Sequence, residues 1–192
     1  MGDFEQGVLL IKRINTGLEQ FITQLDPHSK MIMFYKTACL YFGNSDYKTA
    51  IQWLGKIINS QEADLREDIH GFARILNLIG HYELGNMELI EYYVRSTYRF
   101  LLKKEDLHQF QKYILNFLVR LKTNITEEEL HKRFVTLSKN LIPLTKDPYE
   151  KRAFMYFDII SWLESKIENR GIQEIIKEKA RDRMKQQTQT HN

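Results

Sequence analysis

The sequence has a single cysteine, Cys39, so an internal disulfide and zinc sites built from several thiolates are both excluded. A reducing compartment fits a lone thiol. Only three prolines and nine glycines interrupt 192 residues. So few breakers favour long helices over many short strands. No stretch alternates with period two for long enough to make a strand. No apolar run approaches the ~18 residues of a membrane span. Residues 1–6 carry acids and lack the basic region of a secretory signal, which makes the cytoplasm the default expectation. A dominant charge is missing too. Lys and Arg number 28 against 25 Asp and Glu, a net +3, and no concentrated basic face precedes the C-terminus.

What is present is a helical hydrophobic period along nearly the whole chain, on a composition that is 43% hydrophobic and 28% charged, as globular domains require. The first helix is expected over residues 3–25, with Leu9, Ile14, Leu18, Phe21, Ile22 and Leu25 on one stripe. Asp26-Pro27 reads as an N-cap with proline at the first helical position, and the helix it opens reaches about Phe42. Gly43 to Asp46 is a stop, a turn and a new cap. Asp64-Leu65-Arg66-Glu67 and Thr126 to Glu129 have the spacing of capping boxes. Gly85-Asn86 separates two further helices, and Leu107 to Leu121 marks another. Asp147-Pro148 predicts a helix to about Asn169 that is apolar nearly all round from Ala153 to Leu163 and therefore buried between neighbours. A last helix is expected from Ile172 to about Lys185. The polar residues 186–192 have the composition of a disordered tail. The expectation is one all-α domain over residues 1–185 with about eight helices, joined by short loops that force antiparallel neighbours.

Self-similarity at a step of 40 orders these helices. Ala50, Ile90 and Leu130 coincide; so do Leu54, Val94 and Phe134, and Ile57, Thr97 and Leu137. In the preceding helices, Tyr35, Ile75 and Leu115 align, as do Ala38, Leu78 and Leu118. Three hairpins share one register, and the phase slips by Pro148, as at the terminal cap of a repeat array.

Within the first hairpin, Phe34, Ala38, Tyr41, Asp46-Tyr47, Ala50-Ile51 and Leu54 follow the aromatic, small, turn and small pattern of a tetratricopeptide (TPR) repeat, which this segment resembles. The second hairpin departs from that pattern, with Ile90 at the small position. The step of 40 exceeds the usual ~34 of the class, with the extra residues around 61–68. Residues 64–103 and the segments 147–152 and 157–168 resemble the C-terminal part of larger bacterial TPR-repeat proteins of unknown function. The resemblance implies an α-solenoid and no known activity.

Chemical motifs are sparse. Glu67-x-x-His70 and Glu128-x-x-His131 are pairs of the kind found in di-iron bundles, but both lie in first helical turns, where acids serve the helix dipole, so no metal and no cofactor are expected. No nucleophile elbow, Cys–His signature or phosphate loop is visible, Cys39 reads as a small packed hydrophobe, and no catalytic residue is expected. Arg74, Asn77 and His81 form a polar stripe on a helix that would line a solenoid groove, with Tyr35 as a neighbouring wall; the competing reading is a solvated face or a tie between hairpins. Lys177, Lys179, Arg181, Arg183 and Lys185 sit among Glu178 and Asp182 near the C-terminus, where bases also oppose the helix dipole. The expected function is non-enzymatic recognition of a protein or peptide partner by the repeat surface. The alternatives are a regulatory or nucleic-acid-associated module using the basic end and, more remotely, a metal-dependent bundle enzyme.

Overall fold

Ten α-helices and two 3-10 turns follow one another in the computed structural model, which describes residues 3–60, 66–105, 107–121 and 125–189. No strand occurs among the described residues. The helices are α1 (Phe4–Arg13), α2 (Asn15–Gln24), α3 (Pro27–Gly43), α4 (Tyr47–Ile58), α5 (Glu67–Glu83), α6 (Met87–Lys103), α7 (Gln109–Val119), α8 (Glu127–Leu141), α9 (Ile159–Ile167) and α10 (Ile172–Gln189). From α3 onward each helix packs against the next, giving an all-α helical-repeat arrangement. Contacts of α1 with α3, α3 with α5 and α5 with α7 form a continuous inner layer.

Local chemistry sets the boundaries. Asp26 accepts a hydrogen bond from Ser29 N at 3.0 Å and opens α3, with Pro27 in its first turn. Ser45 turns the chain at φ 61°, and Asp46 caps α4 through Thr49 N at 3.1 Å. Gly85 supplies the left-handed turn (φ 70°) between α5 and α6, a conformation glycine adopts without strain. Thr126 caps α8 through Glu129 N at 3.2 Å. Asp64 and Leu65, part of an expected capping box, lie outside the described residues. So do Thr190, His191 and Asn192 at the polar end, and α10 runs to Gln189, past the expected stop at Lys185.

The forty-residue register is physical. Helix α4 starts at Tyr47, α6 at Met87 and α8 at Glu127; α3 starts at Pro27 and α5 at Glu67. Of the five aligned sets, all members are buried except Leu130, which is half-buried. Ala50, Leu54 and Ile57 are wholly sealed, and Ala38 and Leu78 with them.

Two expected helices are corrected. Residues 3–25 are not one helix: the chain breaks at Ile14 (φ −99°, ψ 6°), where Asn15, Thr16 and Gly17 follow in succession and each is a weak helix former. The first half, α1, buries Val8 and Ile11 and sets the Phe4 ring over Gly43. The second correction concerns residues 148–169. Here Pro148 opens only a turn, Lys151–Met155 is a short 3-10 segment, and the helix proper is α9, capped by Asp158 through Ser161 N at 3.0 Å. The apolar character of Ala153 to Leu163 is burial, as expected, but half of it is irregular backbone.

A groove on the inner layer and the segment that fills part of it

The segment between α8 and α9 lies across the inner faces of α3, α5 and α7. Asp147 Oδ1 accepts from Tyr149 N at 2.8 Å and Glu150 N at 3.1 Å, which is the expected cap geometry. The helix does not continue, and Glu150 serves another one. Its carboxylate accepts from Gln109 N at 2.7 Å and Phe110 N at 3.2 Å, satisfying free N–H groups at the start of α7.

Aromatic contacts seat the rest. Tyr156 stacks on Phe72 with centroids 4.1 Å apart and meets Tyr35 edge-on at 6.2 Å. Phe154 approaches Phe110 at 6.0 Å, and Phe157 meets Phe42 at 5.0 Å. The void left beneath the segment is about 20 Å³, close to the volume of one water. Polar contacts complete the seat. The Tyr156 hydroxyl donates to Asp68 and accepts from Arg66 at 3.3 Å, and the Cys39 thiol points at Tyr156 O at 3.9 Å.

Asp68 anchors this arrangement. Burial pushes its carboxyl upward, but the hydrogen bonds from Arg66 and Tyr156 outweigh it and hold the group well below the usual carboxylate range. Arg66 is engaged on both sides, with Asp68 at 2.8 Å and His28 at 3.0 Å. Tyr35 is buried, and its hydroxyl makes no conventional hydrogen bond; burial raises its pKa well above the phenol value. Burial also pushes the adjacent Cys39 thiol up to about 12, which favours its protonated form.

Beside this segment the inner layer stays open. A groove of about 760 Å³ runs between α1, α3 and residues 152–156. Its walls are apolar, from Ile32, Leu40, Ile69 and Met155, over a floor of Tyr35 and Cys39. Lys36, Arg66 and Arg152 also line it, and no carboxylate does among the described residues. Such a volume with apolar walls and few polar groups has the form of a ligand site. A second hollow, about 660 Å³ between α7 and α8, includes Arg120 and Arg133, but the Arg133 guanidinium is committed to Glu129 and the Arg120 carbonyl.

The residues expected to form a groove stripe lie elsewhere. Arg74, Asn77 and His81 follow the seam between α5 and α6. His81 stacks on Tyr93 at 4.6 Å and shares a hydrogen bond with Asn86 at 3.1 Å. Asn77 is buried. The Arg74 guanidinium sits 4.2 Å over the Phe100 ring, and burial lowers its pKa. Tyr35 shares none of these contacts; its neighbours are Cys39 and Tyr156 on the other side of the inner layer. The structure therefore does not bring Tyr35 together with the other three. Lys36, Arg152, Met155 and Tyr156 were missed. For the last three the signal was an apolar run close to two prolines, Pro143 and Pro148; Lys36, on α3, carried none.

Glu67 pairs with Lys104 at 2.9 Å and Glu128 with Lys132 at 2.6 Å, on separate helices. Among the described residues no group of three or more His, Cys, Asp or Glu is placed to hold a metal. Nor is any helix among them long and apolar enough to cross a membrane. Three of the five bases of α10 have acidic partners: Lys177 with Asp3 at 3.9 Å, Lys185 with Asp182 at 3.8 Å, and Lys179 with Glu164. Comparison with protein-family models, with curated proteins and with solved structures gives no match in any of the three.

Proposed function

We propose that this chain is a non-enzymatic, TPR-like scaffold that binds a protein or peptide segment on its inner layer, working in the cytoplasm. The observation that carries this reading is the seating of residues 147–157. An irregular stretch of chain, held by aromatic stacking, a carboxylate on helix N–H groups and a half-buried tyrosine–aspartate contact, already occupies part of the inner face. Beside it a groove of about 760 Å³ is open and lined in part by the same helices. A surface that captures backbone of its own can capture backbone of another chain by the same physics.

The TPR-like reading draws on the hairpin register and on small residues at close helix contacts. Ala38 and Ala50 are fully buried, and Gly80 lies against Ile51. The ion pairs along α10 leave little unbalanced positive field, so no observation favours the nucleic-acid reading.

The test is selection of peptides from a random displayed library on the whole chain, followed by affinity measurement on single variants. Met155, 84% exposed at the groove edge, and Tyr92, 65% exposed on α6, are the pair to compare. Met155→Glu is expected to weaken the selected peptides, and Tyr92→Glu to leave them unchanged. Peptides indifferent to Met155→Glu, or no enrichment at all, would overturn the reading.

A further inference from the structure

The open groove of the inner layer combines two features on one helical surface. Its walls are aliphatic, and all of its ionisable head groups other than Tyr35, Tyr156 and Cys39 are cations. Of these cations, Arg66 is already neutralised by Asp68 at 2.8 Å. The other two are less committed. Arg152 is 75% exposed and stands 3.7 Å from the same aspartate, which Arg66 and Tyr156 have already claimed. Lys36 is exposed on α3 with no ion-pair partner among the described residues. Lys36 and the exposed, loosely paired Arg152 thus border an apolar trough with no carboxylate among its described lining residues.

We infer that the segment received here is an acidic–aliphatic peptide stretch, with a bulky apolar side chain in the trough over Tyr35 and an adjacent aspartate or glutamate between Lys36 and Arg152. This rests on the peptide-binding reading above and names the chemistry of its partner. The apolar anchor supplies the buried area, because Ile32, Leu40, Ile69 and Met155 offer nothing else to a ligand. The acid supplies selection, because a basic or neutral flank would leave Lys36 and Arg152 unmatched or repelled. Internal acidic side chains suffice; the geometry requires one negative charge beside the anchor, not a chain terminus.

The experiment uses the same displayed library and the whole chain, and reads both sequence and affinity. Enriched peptides are expected to carry a large aliphatic or aromatic residue flanked by Asp or Glu. Lys36→Glu with Arg152→Glu should weaken them by roughly tenfold or more. The same peptides with Lys in place of the acid should show the opposite preference, binding the doubly reversed chain better than the native one. Lys36→Glu alone is measured alongside, since it leaves Asp68 untouched, and a thermal melt of each variant reports whether the fold is kept. Peptides that are lost on Met155→Glu but are indifferent to both charge reversals would overturn this inference while leaving the peptide-binding reading in place. Peptides indifferent to all three variants would overturn both.

Discussion

Glu150 caps a helix that begins 41 residues before it in the chain, its carboxylate accepting from Gln109 N at 2.7 Å. Helix α7 has only eleven residues, so the loss of its two free N–H partners matters. Glu150→Ala is expected to destabilise the protein by ~1–2 kcal/mol, the usual worth of a cap. Glu150→Gln should recover part of this, since the amide oxygen still accepts one bond but brings no charge to the dipole. Thermal unfolding of the two variants checks the order; equal stability of native and alanine proteins would mean that residues 147–157 do not rest on α7.

Asp68 gives the seat a pH dependence. Its carboxyl titrates lower in the folded chain than in the unfolded one, so the unfolded state takes up protons first on acidification. The stabilisation is therefore complete above the ordinary aspartate value of about 3.9 and drains away as pH falls below it. Asp68→Asn should lower stability at neutral pH by ~1–2 kcal/mol and flatten the pH slope between about 4 and 2. Denaturant unfolding across that range measures both effects. A variant with the native slope would show that another carboxylate governs acid sensitivity.

Gly43 and Phe4 form a pair whose test is a double-mutant cycle. A Cβ at Gly43 would lie 2.5 Å from the Phe4 ring, with Cγ at 2.6 Å, so the whole ring must move. Alanine is ordinarily favoured over glycine in a helix by ~1 kcal/mol. Here Gly43→Ala is expected to destabilise, and Phe4→Ala to cost stability by itself. In the Phe4→Ala background, Gly43→Ala should turn neutral or stabilising. Simple additivity of the two would mean that α1 does not dock on α3.

Tyr35 carries the opposite expectation from most core residues. Its hydroxyl is sealed with only the weak Cys39 thiol as a partner among the described residues, which is costly. Tyr35→Phe should be neutral or stabilising, by up to ~1 kcal/mol. A loss of more than that in chemical denaturation would show that the hydroxyl has a partner that matters.

The repeat was legible because it depends on local chemistry. Helix starts at Pro27, Tyr47 and Glu127 each follow a capping side chain in sequence, and core positions recur at forty because each hairpin repeats one packing problem. The break at Ile14 was hidden by an apolar stripe that continues across it, so periodicity outweighed three weak helix formers. Residues 148–157 were legible as buried but not as irregular. An N-cap and a proline announce a helix, while the partners that stop it, Phe72 and the α7 N-terminus, lie far away in sequence. The orientation of the polar stripe was hidden for a related reason. Spacing puts Arg74, Asn77 and His81 on one face, but only Tyr93 and Phe100 on α6 decide which way that face turns.

Residues 147–157 also fix an order in which the molecule can be made. Synthesis completes the hairpins of α3 to α6 first, and Tyr156 emerges 90 positions after its partner Arg66. At ordinary translation rates of ~5–20 residues per second, the aromatic inner face stands bare for about 5–20 s on each growing chain. During that interval the seat of residues 147–157 is vacant and the groove lacks the wall that Arg152, Met155 and Tyr156 supply, so competition between a foreign segment and the chain's own is decided by timing as well as affinity. A ribosome that stalls after α8 would release a chain whose inner face never closes.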